Sequence, residues 1–202
     1  MDEFSVVVLS LAGWVFAASA AAKLSSRQAY RSFRGGLAEL GLIPGRMLPA
    51  AAASLAGTEV TAAVSMLTAV GLLAAAAPSA VRLATVALAV TAALTMVLVI
   101  GVVMVIRRGT PARCACFGAG ASRPLGRVHL ARNLSLLAVL CAGLAVVSMA
   151  HDRPSLAGTG LAAVVGGVSA LLFIRWDDLA EVLTPTSASV VPVTRPQARR
   201  DS

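Results

Sequence analysis

Five stretches of the chain are almost free of polar side chains, at Val6–Ala22, Leu48–Ala77, Leu83–Ile106, Leu134–Ala150 and Leu156–Ile174. A helix needs about 17–25 residues to cross the hydrocarbon of a bilayer, so each run is long enough to predict one transmembrane helix. The third carries no charge across its 24 positions. The second carries Pro49 near its start, which places its first turn in the interface, and Glu59 in its interior. A sixth, shorter element shows a different period. Between Ser25 and Gly41, the residues Tyr30, Phe33, Leu37 and Leu40 recur at helical spacing with Arg27, Arg31 and Arg34 interleaved. Ser25 or Ser26 can cap its start, and Gly41 with Pro44 ends it. This pattern predicts a basic amphipathic helix lying on the inner membrane surface, where anionic lipid attracts it.

The polar residues between the runs set an orientation. The chain begins Met1-Asp2-Glu3 without the basic start of a cleavable signal, so the first run reads as a retained helix with its N-terminus outside. The first connection holds Lys23, Arg27, Arg31, Arg34 and Arg46, and the third holds Arg107, Arg108, Arg113, Arg123, Arg127 and Arg132. The tail holds Arg175, Arg195, Arg199 and Arg200, and only Arg82 and Arg153 fall on the alternate side. Fifteen of the 17 basic residues therefore share one side, which the positive-inside rule assigns to the cytoplasm. Four spans instead of five would leave the four basic residues of the tail outside. The Pro-, Ser- and Thr-rich stretch after Thr184 has the composition of a disordered tail.

Composition closes off the other classes. With 58% hydrophobic and 13% charged residues, a soluble surface could not be covered, and disorder is excluded on the same ground. The net charge of +8 comes from residues placed between spans, so it encodes topology and gives no reason to expect a nucleic-acid partner. Three cysteines are too few for a secreted disulfide scaffold. The fold class that remains is an all-α polytopic membrane bundle, a four-helix core with a fifth transmembrane helix, in the plasma or inner membrane. Small residues four apart, at Gly13, Ala17 and Ala21 and again at Gly158, Ala162, Gly166 and Ala170, predict close helix packing in lipid.

Candidate chemistry is concentrated at Cys114-Ala115-Cys116-Phe117-Gly118, between the third and fourth spans. Two thiols this close can form a strained, readily exchanged disulfide. Arg107, Arg108 and Arg113 upstream and a helix N-terminus downstream favour the thiolate, which is the reactive species. Zinc binding by the pair with His129 is a subordinate reading, since three donors leave the site incomplete. Glu59 is the second candidate, because an acid within a span faces the bundle interior or a polar pathway. It can move a proton for the redox centre, pair with a basic group such as Lys23, or fix helix packing. Cys141, mid-span in the fourth run, reads as a small buried filler in preference to a relay thiol. Asn133 stands where the fourth span enters the membrane and can cap it or bond across helices, and His129 reads as a lone interfacial residue.

The order of these features resembles the methylamine utilisation protein MauE family, relatives of the DoxX-like membrane proteins. The likeness runs from Lys23 at the end of the first span, through Gly41-Leu42-Ile43-Pro44 and Glu59, to Cys114-Ala115-Cys116-Phe117-Gly118 and Ala131-Arg132-Asn133-Leu134. It implies a four-helix membrane module over residues 1–150, to which the apolar runs and composition add a further transmembrane helix over 151–175 and a disordered cytoplasmic tail over 176–202. It also implies thiol redox chemistry with a thioredoxin-like partner, and a part in maturing the disulfide-rich small subunit of methylamine dehydrogenase. On this resemblance Cys114 and Cys116 match the paired thiols and Glu59 the intramembrane acid, with Lys23, Arg132 and Asn133 as accessory residues. Ala115 departs from the family, which commonly has Gly there, and the fifth span and tail lie outside the pattern. No cofactor is specified. A quinone is a suitable electron acceptor, but nothing in the sequence requires one. The charge pattern puts the thiols in the cytoplasm whereas the family's client folds outside, so either the orientation is reversed or electrons pass between a cytosolic thiol partner and the membrane. Two other functions fit the residues: a non-catalytic assembly factor docking through Arg27, Arg31 and Arg34, and a small-solute transporter using Glu59.

Overall fold

The apolar runs become helices in the computed structural model, which describes residues 3–109, 126–149 and 155–176. The expectations for the Cys114–Gly118 element and for the tail after Thr184 lie outside those residues. In chain order the helices are α1 (Glu3–Leu24), α2 (Arg27–Glu39), α3 (Leu48–Ala74), α4 (Ala80–Arg108), α5 (Arg127–Met149) and α6 (Leu156–Ile174), with a 3₁₀ turn at Gly45–Met47 leading into α3. All but α2 are long and apolar enough to cross a membrane. The protein is a multi-pass, all-α membrane bundle.

The element ends follow local chemistry. Ser26 caps α2 by accepting a hydrogen bond from the Ala29 amide at 3.0 Å, and Ser155 caps α6 in the same way from Gly158 at 3.0 Å. After α2 the chain turns at Gly41, whose φ of +63° suits a residue without a Cβ. Pro49 sits in the first turn of α3, where its missing N–H removes no helical bond.

Helix α1 is the centre of the bundle. It packs against α6, α3 and α5, and α2 folds against α1 and α3. The small residues of α6 make its contact possible. Ala162, Gly166 and Ala170 are buried, and a Cβ built on Gly166 would lie 2.5 Å from the Val7 carbonyl oxygen of α1. On α1 itself only Gly13 serves this purpose fully, against Leu67 and Met66 of α3, while Ala21 faces outward. The large apolar residues left exposed, such as Val90 and Val97 on α4 and Leu161 and Val168 on α6, form the surface that a bilayer would cover.

Two expectations change. Helix α5 begins at Arg127, two turns before Leu134, so Asn133 lies inside the helix and does not cap it. Cys141 is exposed on the outer face of α5 and fills no interior space. Lipid tails are as apolar as a protein core, so a hydrophobic run does not distinguish an inward cysteine from one that faces the bilayer.

Candidate functional site

Ser19 and Lys23 stand four residues apart on α1 and so share one face. That face meets α3 at Glu59. The Lys23 ammonium lies 2.6 Å from Glu59 Oε1 and 2.5 Å from Oε2, and it also donates to Ser19 Oγ at 2.8 Å. Ser19 Oγ in turn donates to Glu59 Oε2 at 3.2 Å. Lys23 is 1% exposed and Glu59 2%, so the pair is buried inside the bundle. Burial is tolerable because each charge is compensated and hydrogen-bonded within the same cluster. Helix α2 closes it from above. Its one fully buried residue is Phe33, whose ring centroid lies 5.1 Å from the Lys23 nitrogen, in range of a cation–π contact.

Beside this pair is a cavity of about 360 Å³. It is walled by the C-terminal half of α1, the N-terminal half of α3, the C-terminal half of α4, the N-terminal half of α5, the underside of α2 with the turn after it, and Phe173 near the C-terminus of α6. All of these belong to the same end of the bundle. Most of the wall is apolar, and its polar members are Ser19, Glu59, Thr95, His129, Arg132 and Asn133. The Thr95 hydroxyl donates to the Thr91 carbonyl oxygen at 2.8 Å, which keeps it satisfied inside α4. Arg108, at the end of α4, reaches the Gly41 carbonyl oxygen at 3.4 Å and ties α4 to the turn after α2.

The structure thus brings together Lys23, Glu59, Arg132 and Asn133, four of the six residues singled out by sequence. Lys23 and Glu59 touch, and Glu59, Arg132 and Asn133 line one cavity. The other two, Cys114 and Cys116, lie outside the described residues. His129, expected at the interface, is buried at 7% exposure and lines the cavity with Arg132. A signal for this was present: His129, Arg132, Asn133 and Leu136 fall at positions i, i+3, i+4 and i+7, one face of a helix, and all four line the cavity.

The sequence model of the family described as Methylamine utilisation protein MauE matches residues 1–146. That stretch contains the ion pair, the cysteine pair and the α5 face. No curated protein and no solved structure matches the chain.

Proposed function

The chain belongs to the methylamine utilisation protein MauE family, and from that premise we propose that it is a membrane thiol–disulfide redox or maturation component working with a thioredoxin-like partner. The observation that supports this most is one of connectivity. Helices α4 and α5 carry Gly101, Met104, His129, Arg132 and Asn133 on the cavity, and the segment joining those two helix ends carries Cys114 and Cys116. In this reading one of the two thiolates attacks a partner disulfide, forming a mixed disulfide and releasing one partner thiolate. The second cysteine then attacks the mixed disulfide, closing a Cys114–Cys116 disulfide and releasing the other partner thiolate. The partner gains two electrons and the pair loses two. Glu59, held by Lys23, serves proton movement or helix packing.

The charge pattern supports a cytoplasmic location for the thiols, with the N-terminus outside. Residues 1–150 form the redox module in this reading, 151–175 the added helix and 176–202 the cytoplasmic tail. The family's description supports a link to methylamine utilisation, and maturation of the methylamine dehydrogenase small subunit is the physiological role proposed within it. The test uses the full chain in a Cys141→Ala background. A membrane-impermeant thiol reagent should label the reduced pair from the cytoplasmic side, lose that labelling once the pair has closed its disulfide, and regain it on reduction. One of the single variants Cys114→Ser or Cys116→Ser should trap a reductant-sensitive mixed disulfide. Thiols that are reduced under all conditions, with no trapped partner, would refute the redox role.

A second reading has its own observation. Arg27, Arg31 and Arg34 are exposed on the outer face of α2 and suit docking of a soluble partner by a non-catalytic assembly factor. Replacing them would then abolish partner capture while replacing the cysteines would not.

A further inference from the structure

The cavity at the α2 end asks for an occupant. At about 360 Å³ it falls in the range of small-molecule sites and is far larger than the space one water needs. Left empty, it would forfeit the dispersion contacts of its whole lining. Filled with water, it would wet a wall built from Phe16, Leu37, Leu55, Leu98 and Val102. Neither filling suits a hole of this composition.

Its mouth indicates where an occupant would come from. Val97 and Met104 line the cavity, yet Val97 is 64% exposed and Met104 39%, both on the outward side of a membrane-spanning helix. The cavity therefore opens sideways between helices, at the level where a bilayer would lie. A molecule entering there is dissolved in lipid.

The polar lining selects its head. Arg132 offers only donors, the Asn133 amide offers donors as well as an acceptor, and His129 stands one turn before them on the same face of α5. Glu59, opposite on α3, already accepts from Lys23 and Ser19. A head group that matches this end carries acceptor oxygens, and an apolar body matches the rest.

We propose that this cavity binds one membrane-dissolved amphiphile, its oxygen-bearing head against Arg132 and Asn133 and its apolar body along Leu37, Leu55 and Leu98. Two sources present this chemistry, a fatty acyl carboxylate or ester and the ring carbonyl of a quinone. The site does not depend on the redox reading, and binding survives in the Cys114→Ser/Cys116→Ser chain.

Gly101 provides the test. It lines the cavity, and a Cβ built on it meets nothing within 4 Å, so Gly101→Leu starts a larger side chain from a position with room for its first carbon. The full chain in nanodiscs is titrated with a long-chain fatty acid, with a decyl-substituted benzoquinone and with an alkane of matched length, each against protein-free discs. Saturable binding of at least one oxygen-bearing probe near one per chain is expected. Gly101→Leu should weaken it tenfold or more, and Asn133→Leu should lower its preference over the alkane several-fold. Leu55→Trp is a second occluding variant should Gly101→Leu fail to fold. Which probe binds identifies the source. Absence of saturable binding for both oxygen-bearing probes overturns the proposal, as does unchanged affinity in a folded occluding variant. Equal binding of the alkane overturns the assignment of the head.

Discussion

The two halves of α1 pack in opposite ways. Along the first half, from Val6 to Gly13, neighbouring helices approach until a single methylene decides the fit. Gly166 of α6 lies against the Val7 and Leu11 backbone, Gly143 of α5 against Val8, and Gly13 itself against Leu67 of α3. Along the second half, from Val15 to Lys23, the helices part around a cavity and a buried ion pair. One continuous helix thus supports a dry, tight end and a roomy end with polar groups. Tight packing supplies the van der Waals contact that holds helices together where lipid offers no hydrophobic drive. The open end gives up that contact, and its polar groups then depend on one another for compensation.

The largest expected effect is at the buried pair. Lys23→Met leaves the Glu59 carboxylate buried at 2% exposure without its cation, and removal of one partner from a buried pair costs about 3–5 kcal/mol. Equilibrium unfolding of the full chain in bicelles should show that loss. Lys23→Met combined with Glu59→Met should recover most of it, since two apolar residues leave no charge to compensate. A double variant as unstable as the single would mean that the open end is held by something other than charge balance.

The tight end is tested within one helix. A Cβ on Gly166 would lie 2.5 Å from the Val7 carbonyl oxygen and 2.6 Å from Ser10 Cβ, and a main-chain atom cannot rotate aside. Gly166→Val should cost about 1–3 kcal/mol or more, as overpacking does, and should expose the α6 connection to protease. Gly160, on the same helix, has nothing within 4 Å of its Cβ position, and Gly160→Val should leave stability and cleavage nearly unchanged. Similar losses at both positions would remove the distinction between the packed and the outward face of α6.

Much of this arrangement was legible in the chain, for reasons that also explain what was not. The spans are visible because lipid demands long uninterrupted apolar runs, and α2 is visible because Phe33 and its neighbours keep a helical period among arginines. Glu59 drew attention as an acid inside a run, and Lys23 as a basic group able to answer it. Helix α5 starts two turns ahead of its apolar run because His129, Arg132 and Asn133 interrupt the hydrophobic pattern without interrupting the helix. Polar residues that face a protein-lined cavity look the same to a hydropathy pattern as residues that face water. Cys141 shows the converse, since its apolar neighbours do not say whether the helix face meets protein or lipid. The cavity needed every helix around it in place, and no local pattern encodes a volume.

The smallest expected effect is the most discriminating between the two ends. Gly101 and Gly143 both interrupt apolar membrane helices, and substitution by Ala relieves the same intrinsic penalty of about 0.5–1 kcal/mol that Gly imposes within a helix. Their surroundings differ. The added Cβ at Gly101 enters the open end and touches nothing within 4 Å, whereas at Gly143 it would lie 2.7 Å from a Val8 methyl carbon. Gly101→Ala should therefore raise stability by a few tenths of a kcal/mol up to about 1, while Gly143→Ala should lower it or leave it unchanged as Val8 gives way. Measured side by side in bicelles, opposite signs confirm that the bundle is filled at one end and open at the other. A matching gain at both positions would show that the α1–α5 contact yields as readily as an empty cavity, and the contrast between the halves of α1 would disappear.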